Sequence, residues 1–236
     1  MPRQFPRART LIVEDSAPSL TRVRVWDVPV RLVHWLIVLS VAAAWWTADT
    51  GRLDWHQYCG YALLGLVSFR IYWGFFGSST ARFSQFVRGP RTIVSYLKGR
   101  WAAVPGHNPL GALSIIALLA LMLTQAALGL FAVDVDGIES GPLSAYVSFK
   151  TGRVAAHWHC ELFDPLLWLI GLHVAAVIYY VFVRKENLIG AMVHGKRAYP
   201  APQPPEVRSA SMLRLLIGVV LAAGLTWMVA RAFQFG

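Results

Sequence analysis

The sequence predicts an all-α integral membrane protein, with a four-helix transmembrane bundle followed by a fifth, C-terminal transmembrane helix. Hydrophobic residues make up 56% of the 236 residues and charged residues only 14%, whereas a soluble domain has about 25% charged residues. Ten Trp residues support this class, because Trp gathers at membrane interfaces. No segment of the chain requires a β-strand to explain it.

The five predicted helices follow from five long apolar runs. A helix needs about 20 apolar residues to cross a hydrocarbon layer about 30 Å thick. The runs that meet this requirement cover residues 30–48, 56–76, 110–132, 159–183 and 212–233. The chain is therefore predicted to divide into an N-terminal arm (1–29), a four-helix domain (30–198), a Pro-rich linker (199–211) and a C-terminal transmembrane helix (212–236).

The segments outside the spans are polar, and each is predicted as an arm, loop or linker. The arm is Arg-rich and Pro-containing, which indicates a mostly irregular structure without a cleavable signal peptide. The connection 133–158 is the largest loop on its side and carries three acidic residues, so it is either a docking surface for a partner or an ordinary solvated loop. The tract PAPQPPE, residues 200–206, indicates a linker.

The distribution of Lys and Arg predicts the orientation in the membrane. The arm 1–31 has six of these residues, the loop 77–108 has five and the loop 184–214 has six, against one and two in the alternate connections. Cytoplasmic loops carry the excess of positive charge. The N-terminus is therefore predicted to be cytoplasmic. The same topology explains the net charge of +10, so nucleic acid is not an expected partner.

Four histidines fall at two depths of the predicted bundle. His34 lies near the cytoplasmic end of the first span, while His56 and His159 lie at the outer ends of the second and fourth spans. His173 follows His159 by fourteen residues, which returns it to nearly the same helix face about 21 Å further along the axis. The outer pair is therefore His56 with His159, and the inner pair is His34 with His173.

Paired imidazoles across a helical bundle are typical of bis-His ligation of haem iron. The four histidines are accordingly predicted as axial iron ligands of two haems, which would be non-covalent because no CxxCH motif occurs. A zinc site would need three or four ligands at one depth. A proton relay would need carboxylates within the spans, and only Glu161 and Asp164, near the outer surface, could serve.

Several other residues are weaker candidates. Arg70 follows His56 by fourteen residues, so it is predicted at the inner level, either as a counter-ion to a haem propionate or snorkelling to the surface. His157 is predicted on the opposite helix face, as a loop-end residue or a propionate contact. Three small residues, Gly60, Gly65 and Gly171, could let a macrocycle approach a helix. The loop histidines His107 and His194 are expected to be structural. The two cysteines, Cys59 and Cys160, are expected to be ordinary helix-end residues.

Residues 22–198 resemble the bacterial cytochrome b561 family, particularly the cytochrome b subunits of nickel–iron hydrogenases. The segments that carry the resemblance are RVWDVPVRLVHW, HQYCGYALLGLVSFRIYWGFFG, GHNPLGAL, GLFAVDVDGIESGPL and RKENLIGAMVHGKR, with the two histidines of the fourth span. The resemblance implies a di-haem core ligated by His34, His56, His159 and His173. The fifth span departs from the usual four and could pack against a partner subunit, and the long arm is a second departure.

The expected function is electron transfer across the bilayer, between a periplasmic redox partner and the quinone pool. The partner implied is a hydrogenase, a dehydrogenase or a cytochrome c, and membrane lipid surrounds the chain. Two alternatives remain. A stand-alone quinone oxidoreductase, for example one that reacts with superoxide, would turn over in isolation. A haem-free membrane anchor or transporter would use its histidines for protons or metal and would be colourless.

Overall fold

The fold is a bundle of long apolar helices. The computed structural model describes residues 20–87, 89–100, 108–200 and 207–232, so His107, most of the arm and part of the linker lie outside the described residues. Five helical segments within these ranges are long and apolar enough to cross a membrane. The predicted fold class is therefore confirmed. The elements in chain order are β1 (Leu20–Arg24), α1 (Val28–Asp49), α2 (Leu53–Phe76), α3 (Phe83–Phe86), α4 (Pro90–Leu97), α5 (Pro109–Phe131), a 3₁₀ turn (Ser144–Tyr146), α6 (Phe149–Glu161), α7 (Phe163–Phe182), α8 (Leu188–His194), β2 (Lys196–Pro200) and α9 (Met212–Ala232).

Short polar side chains determine where two of the spanning helices begin. The Asp27 carboxylate accepts a hydrogen bond from the Val30 N–H at 2.8 Å and so caps α1. The Asn108 side chain accepts from the Gly111 N–H at 2.7 Å and caps α5. Each cap provides an acceptor for an N–H group that has no partner within the helix.

The fourth span begins earlier than predicted and is broken. It was expected over 159–183, but helical structure starts at Phe149 and runs as α6 and α7, which meet at Leu162. Pro165 explains the break, because it has no N–H to donate to the carbonyl four residues earlier, that of Glu161, and its ring crowds that carbonyl. The outer loop is correspondingly shorter than the sequence suggested.

A two-stranded antiparallel sheet joins the start of the chain to the segment after α8. β1 pairs with β2 so that Arg22 lies opposite Ala198 and Arg24 lies opposite Lys196. The expectation of an irregular arm and of no strands is therefore wrong for Leu20–Arg24. The pairing connects residues that are far apart in sequence, and neither strand has a hairpin turn beside it that would have indicated its partner.

Helix α2 lies at the centre of the bundle and packs against α1, α5 and α9, while α5 also packs against α6 and α7. The fifth spanning helix, α9, thus packs against this chain's own α2, whereas a partner subunit was considered for it from the sequence. Gly65 of α2 permits this contact, because a Cβ there would lie 2.7 Å from the Thr226 hydroxyl of α9. Gly65 therefore serves helix packing, because α9 occupies the space beside it.

The cation-rich connections gather at one end of the bundle, called here the basic end. Ser79 donates from its N–H to the Arg208 carbonyl at 2.9 Å, which joins the segment after α2 to the segment before α9. The Tyr96 and Tyr180 hydroxyls are hydrogen-bonded, which joins α4 to the end of α7. A buried apolar cluster lies beneath these connections and comprises Val25, Trp26, Val30, Val33, Phe69, Trp73, Ala81 and Ala191.

Candidate functional site

Two histidines face each other at the end of the bundle opposite the basic end. His56 lies in the first turn of α2, and His159 lies in the last turn of α6. Their ring centroids are 5.9 Å apart, and the ring planes are nearly perpendicular, at 87°. Both side chains are half-buried. The fold therefore brings together two imidazoles from helices that are far apart in sequence.

Backbone carbonyls orient both rings. His56 donates from Nδ1 to the Ala44 carbonyl of α1 at 2.9 Å, and His159 donates from Nδ1 to the Gln125 carbonyl of α5 at 2.9 Å. A carbonyl can only accept, so each Nδ1 carries a proton, and the tautomer that this selects has its lone pair on Nε2. This arrangement is the one in which a histidine binds a metal while its other nitrogen is held by a second partner.

Gly129 lets the His159 ring lie against α5. A Cβ at this position would lie 3.0 Å from His159 Cε1 and 3.3 Å from its Nδ1, closer than the 3.4 Å at which ordinary contact begins. Gly129 follows Gln125 by one helical turn, so the same stretch of α5 supplies both the carbonyl that holds the ring and the space that the ring occupies.

A cavity of about 580 Å³ surrounds this histidine pair. The volume is within the range of about 300–1,000 Å³ that is usual for cofactor and ligand sites. The Gln125 side chain is only 9% exposed, and its amide oxygen has no hydrogen-bond partner among the described residues. Gly60 leaves open space in the wall. The polar side chains that line the cavity with the two histidines include Asp49, Asp54, Gln57, Tyr61, Gln125, Asp134, Glu139, Ser140 and Cys160.

The other two predicted ligands lie toward the basic end. His34 is in the second turn of α1 and His173 is in the middle of α7. His34 lies within electrostatic range of both His173 and Arg70. Its Nδ1 is buried and has no hydrogen-bond partner among the described residues. A buried imidazole nitrogen without a partner is costly, so a ligand at this place would satisfy it.

Arg70 is the most buried charged side chain near this second site, at 6% exposure. Its guanidinium makes a long hydrogen bond of 3.5 Å to the Ala81 carbonyl and lies over the Phe83 ring at 5.5 Å. Asp27 is close enough to interact electrostatically, but no salt bridge to Arg70 is formed within the described ranges. The side chain is therefore enclosed by the chain and does not extend to the surface.

The donor set fits a group held by two imidazoles from opposite sides. A metal–imidazole bond is about 2 Å long, so two rings that share one ion have their facing nitrogens about 4 Å apart and their centroids somewhat farther. The separation of 5.9 Å between His56 and His159 is compatible with this. Among the residues that the structure describes, no three His, Cys, Asp or Glu side chains converge on one point.

The remaining candidate residues do not join either histidine pair. The His157 side chain is exposed and contacts the neighbouring Trp158, and His194 is exposed at the end of α8. Cys59 and Cys160 are free thiols. Gly171, like Gly60, has nothing within 4 Å of a Cβ built on it.

Sequence reasoning missed the residues that support the histidines. Ala44 and Gln125 contribute backbone carbonyls, and a carbonyl has no signature in a sequence. Gln125 and Gly129 did carry a signal, since they are an amide and a glycine one turn apart in an otherwise apolar span. An amide buried in a membrane helix is costly unless it has a function or a partner.

Comparisons with known proteins identify the family of the chain. A family model that describes prokaryotic cytochrome b561 matches residues 25–195. The chain is also similar to the probable Ni/Fe-hydrogenase B-type cytochrome subunits of Azotobacter chroococcum mcd 1 and Azotobacter vinelandii. Each is 25% identical over 230 residues, which cover 81% of this chain and 95% of the relative. No solved structure matches the chain.

Proposed function

The chain belongs to the prokaryotic cytochrome b561 family, and we propose that it is a di-haem cytochrome that carries electrons between a periplasmic redox partner and membrane quinone. As a member of this family it is a multi-pass membrane cytochrome of b type that takes part in electron transfer. Beyond this family membership, we propose the number of haems, their ligands, the partner and the orientation of the chain in the membrane.

The observation that carries the proposal is the pair formed by His56 and His159. Both rings are held through Nδ1, both present Nε2, and a cavity of about 580 Å³ lies around them. These two residues would hold the outer haem by binding its iron. When bound, haem supplies an iron that gains and loses one electron. The chain's own contribution is to fix the two rings and to provide a mostly apolar setting.

His34 and His173 would hold an inner haem by binding its iron. The unpartnered Nδ1 of His34 and its proximity to His173 support a ligand there. Arg70 is proposed to pair with a carboxylate of the same group, because a buried guanidinium with only a long hydrogen bond gains most from an anionic partner. The two histidines of the fourth span, His159 and His173, then belong to different haems near opposite surfaces.

The charge of the connections supports an orientation with the basic end in the cytoplasm of an inner membrane. His56 and His159 then face the periplasm. The two Azotobacter relatives are named as probable hydrogenase cytochrome subunits, so a hydrogenase is the proposed partner at the outer site. Quinone, which is soluble in the lipid, is proposed to exchange electrons from within the membrane at the cytoplasmic side.

Haem quantitation with a reduced-minus-oxidised visible spectrum tests the proposal. The wild-type protein should contain two b-type haems per chain, and His159→Ala and His173→Ala should each contain about one. His157→Ala is the matched control, because His157 lies only two residues from His159 but is exposed. This variant should keep both haems. A colourless wild-type protein, or His variants with unchanged haem content, would contradict the assignment.

A further inference from the structure

One face of the two-stranded sheet carries three exposed cations, Arg22, Arg24 and Lys196, which are called here the basic face. Side chains alternate between the two faces of a strand, and the register places Arg24 directly opposite Lys196 and Arg22 opposite Ala198. All three cations are exposed. The other face turns inward, where Tyr199 packs against the buried cluster beneath it.

The two faces differ in how their charges are balanced. On the inward face, Arg197 forms a salt bridge with Glu186 at 2.5 Å. On the basic face, the three cations make no salt bridge with any residue in the described ranges. Arg24 and Lys196, which carry the same charge, lie directly opposite each other on the two strands. Like charges directly opposite each other destabilise a sheet. Insertion of the chain in one orientation requires positive loops, but it does not require this pairing.

The basic face lies close to the end of α1 at which the apolar surface of that helix begins. The Gly195 carbonyl accepts hydrogen bonds from the N–H groups of Val25 and Trp26, which fixes the sheet to the base of α1. The apolar surface of α1 begins in its first turn, because Val28 is 57% exposed. Arg24 precedes Val28 by four residues, so its Cα is within about 14 Å of it even if the chain is fully extended. A long Arg side chain at that distance reaches the lipid headgroups.

Helix α4 independently indicates that the basic end is seated in the headgroup layer. Its exposed apolar residues Val94 and Leu97 are flanked by the exposed cations Arg91 and Lys98. The loop 77–108 that contains α4 has five cations and no Asp or Glu. A short helix with exposed apolar residues and flanking cations is typical of the membrane interface.

We propose that the basic face of the sheet binds the anionic headgroups of phospholipids in the leaflet at the basic end. A phosphate group between Arg24 and Lys196 would convert their repulsion into two attractive contacts. Each Lys or Arg near an anionic surface contributes about 1 kcal/mol, which is about fivefold in affinity per charge. Three charges together predict roughly a hundredfold preference for anionic over zwitterionic lipid. The proposal does not depend on the haem assignment.

The test compares the full-length protein with the triple variant Arg22→Gln, Arg24→Gln, Lys196→Gln. Lipid selectivity is measured by native mass spectrometry of protein taken from nanodiscs that contain equal amounts of phosphatidylglycerol and phosphatidylcholine. The wild type should retain phosphatidylglycerol, and the triple variant should lose most of this preference. The matched control is Arg52→Gln, Lys150→Gln, which neutralises exposed cations at the opposite end and should leave the preference unchanged.

Thermal unfolding provides a second readout, because the effect of Lys196→Gln on stability should differ between two lipids. In phosphatidylcholine alone, Lys196→Gln should be at least as stable as the wild type, because a like-charge pair is removed. In phosphatidylglycerol-containing nanodiscs, the wild type should gain more stability than Lys196→Gln. If phosphatidylglycerol stabilises the wild type and Lys196→Gln equally, the proposal is overturned. It is also overturned if inorganic phosphate, added in phosphatidylcholine alone, stabilises the wild type as much as phosphatidylglycerol does. If the protein binds a polyglutamate peptide and shows no preference between the two lipids, the partner of the basic face is an acidic protein and the proposal is overturned.

Discussion

The substitution Gly129→Ala tests the geometry of the outer site most directly. The new Cβ would meet His159 Cε1 at 3.0 Å and Nδ1 at 3.3 Å, whereas ordinary contact begins at 3.4 Å. The ring must therefore retreat from α5 by a few tenths of an ångström. Because Gln125 lies on the same helix, this retreat also lengthens the 2.9 Å hydrogen bond from Nδ1 to its carbonyl.

The expected cost follows from these two contacts. Overpacking of a buried site by one methyl group costs about 1–3 kcal/mol. We assign about 0.5–1.5 kcal/mol of this total cost to the weakened hydrogen bond. Since 1.4 kcal/mol is a factor of ten in affinity, haem at the His56/His159 site should bind about 5- to 150-fold more weakly. The haem at the other site should be unaffected, because its proposed ligands lie on α1 and α7.

The assay is the transfer of haem to an excess of apomyoglobin, followed by visible absorbance, with haem content per chain measured at the start. One of the two haems of Gly129→Ala should transfer faster than either haem of the wild type. Gly224→Ala is the matched control, since it also adds a methyl group to a spanning helix but has nothing within 4 Å of the new Cβ. Identical transfer rates for the two variants would refute the role assigned to Gly129.

Three further predictions concern packing, titration and the cavity wall. Trp73→Phe removes a 2.8 Å hydrogen bond to the carboxylate of Asp27, which caps α1, so the free energy of unfolding should fall by about 1.5–3 kcal/mol; an unchanged value would show that this bond does not stabilise the fold. Burial raises the pKa of Tyr199 above its usual value of about 10, so the stability linked to its proton is fully present below about pH 10 and decreases as the pH rises further. Tyr199→Phe should reduce this alkaline loss of stability in unfolding measured against pH, and an unaltered pH profile would contradict the linkage. Gly60→Ala meets no atom of the chain within 4 Å, so it should fold normally but hold less haem at the outer site, and full haem content would place the macrocycle elsewhere in the cavity.

Much of the fold could be predicted because its evidence is local in sequence. Each spanning helix is an apolar run long enough for the bilayer, and the observed bounds of α1, α2, α5 and α9 lie within three residues of those expected. The unequal charge of the loops also predicted which connections share an end of the bundle. The early start and the break of the fourth span were missed, although Pro165 was visible in the sequence.

For the candidate site, the spacing of the histidines along the helices predicted only their depth and the helix face that each occupies. The depth of each histidine follows from its position in an apolar run, and the fourteen-residue interval between His159 and His173 places them on nearly one face. Their assignment as haem ligands remains a prediction. The rotation and tilt of each helix were not predictable, because these depend on how α2 and α5 pack against their neighbours.

The membrane class, the five spans, the basic end and the expected depths of the four histidines follow from the sequence alone, since each depends on residues that are close together along the chain. Which groups meet across the chain depends on the tertiary structure. The carbonyls of Ala44 and Gln125 hold the two rings, Gly129 makes room for one of them, α9 packs on α2, and β1 pairs with β2. These contacts join distant segments through backbone atoms and close packing, and the sequence does not specify which of these segments will meet.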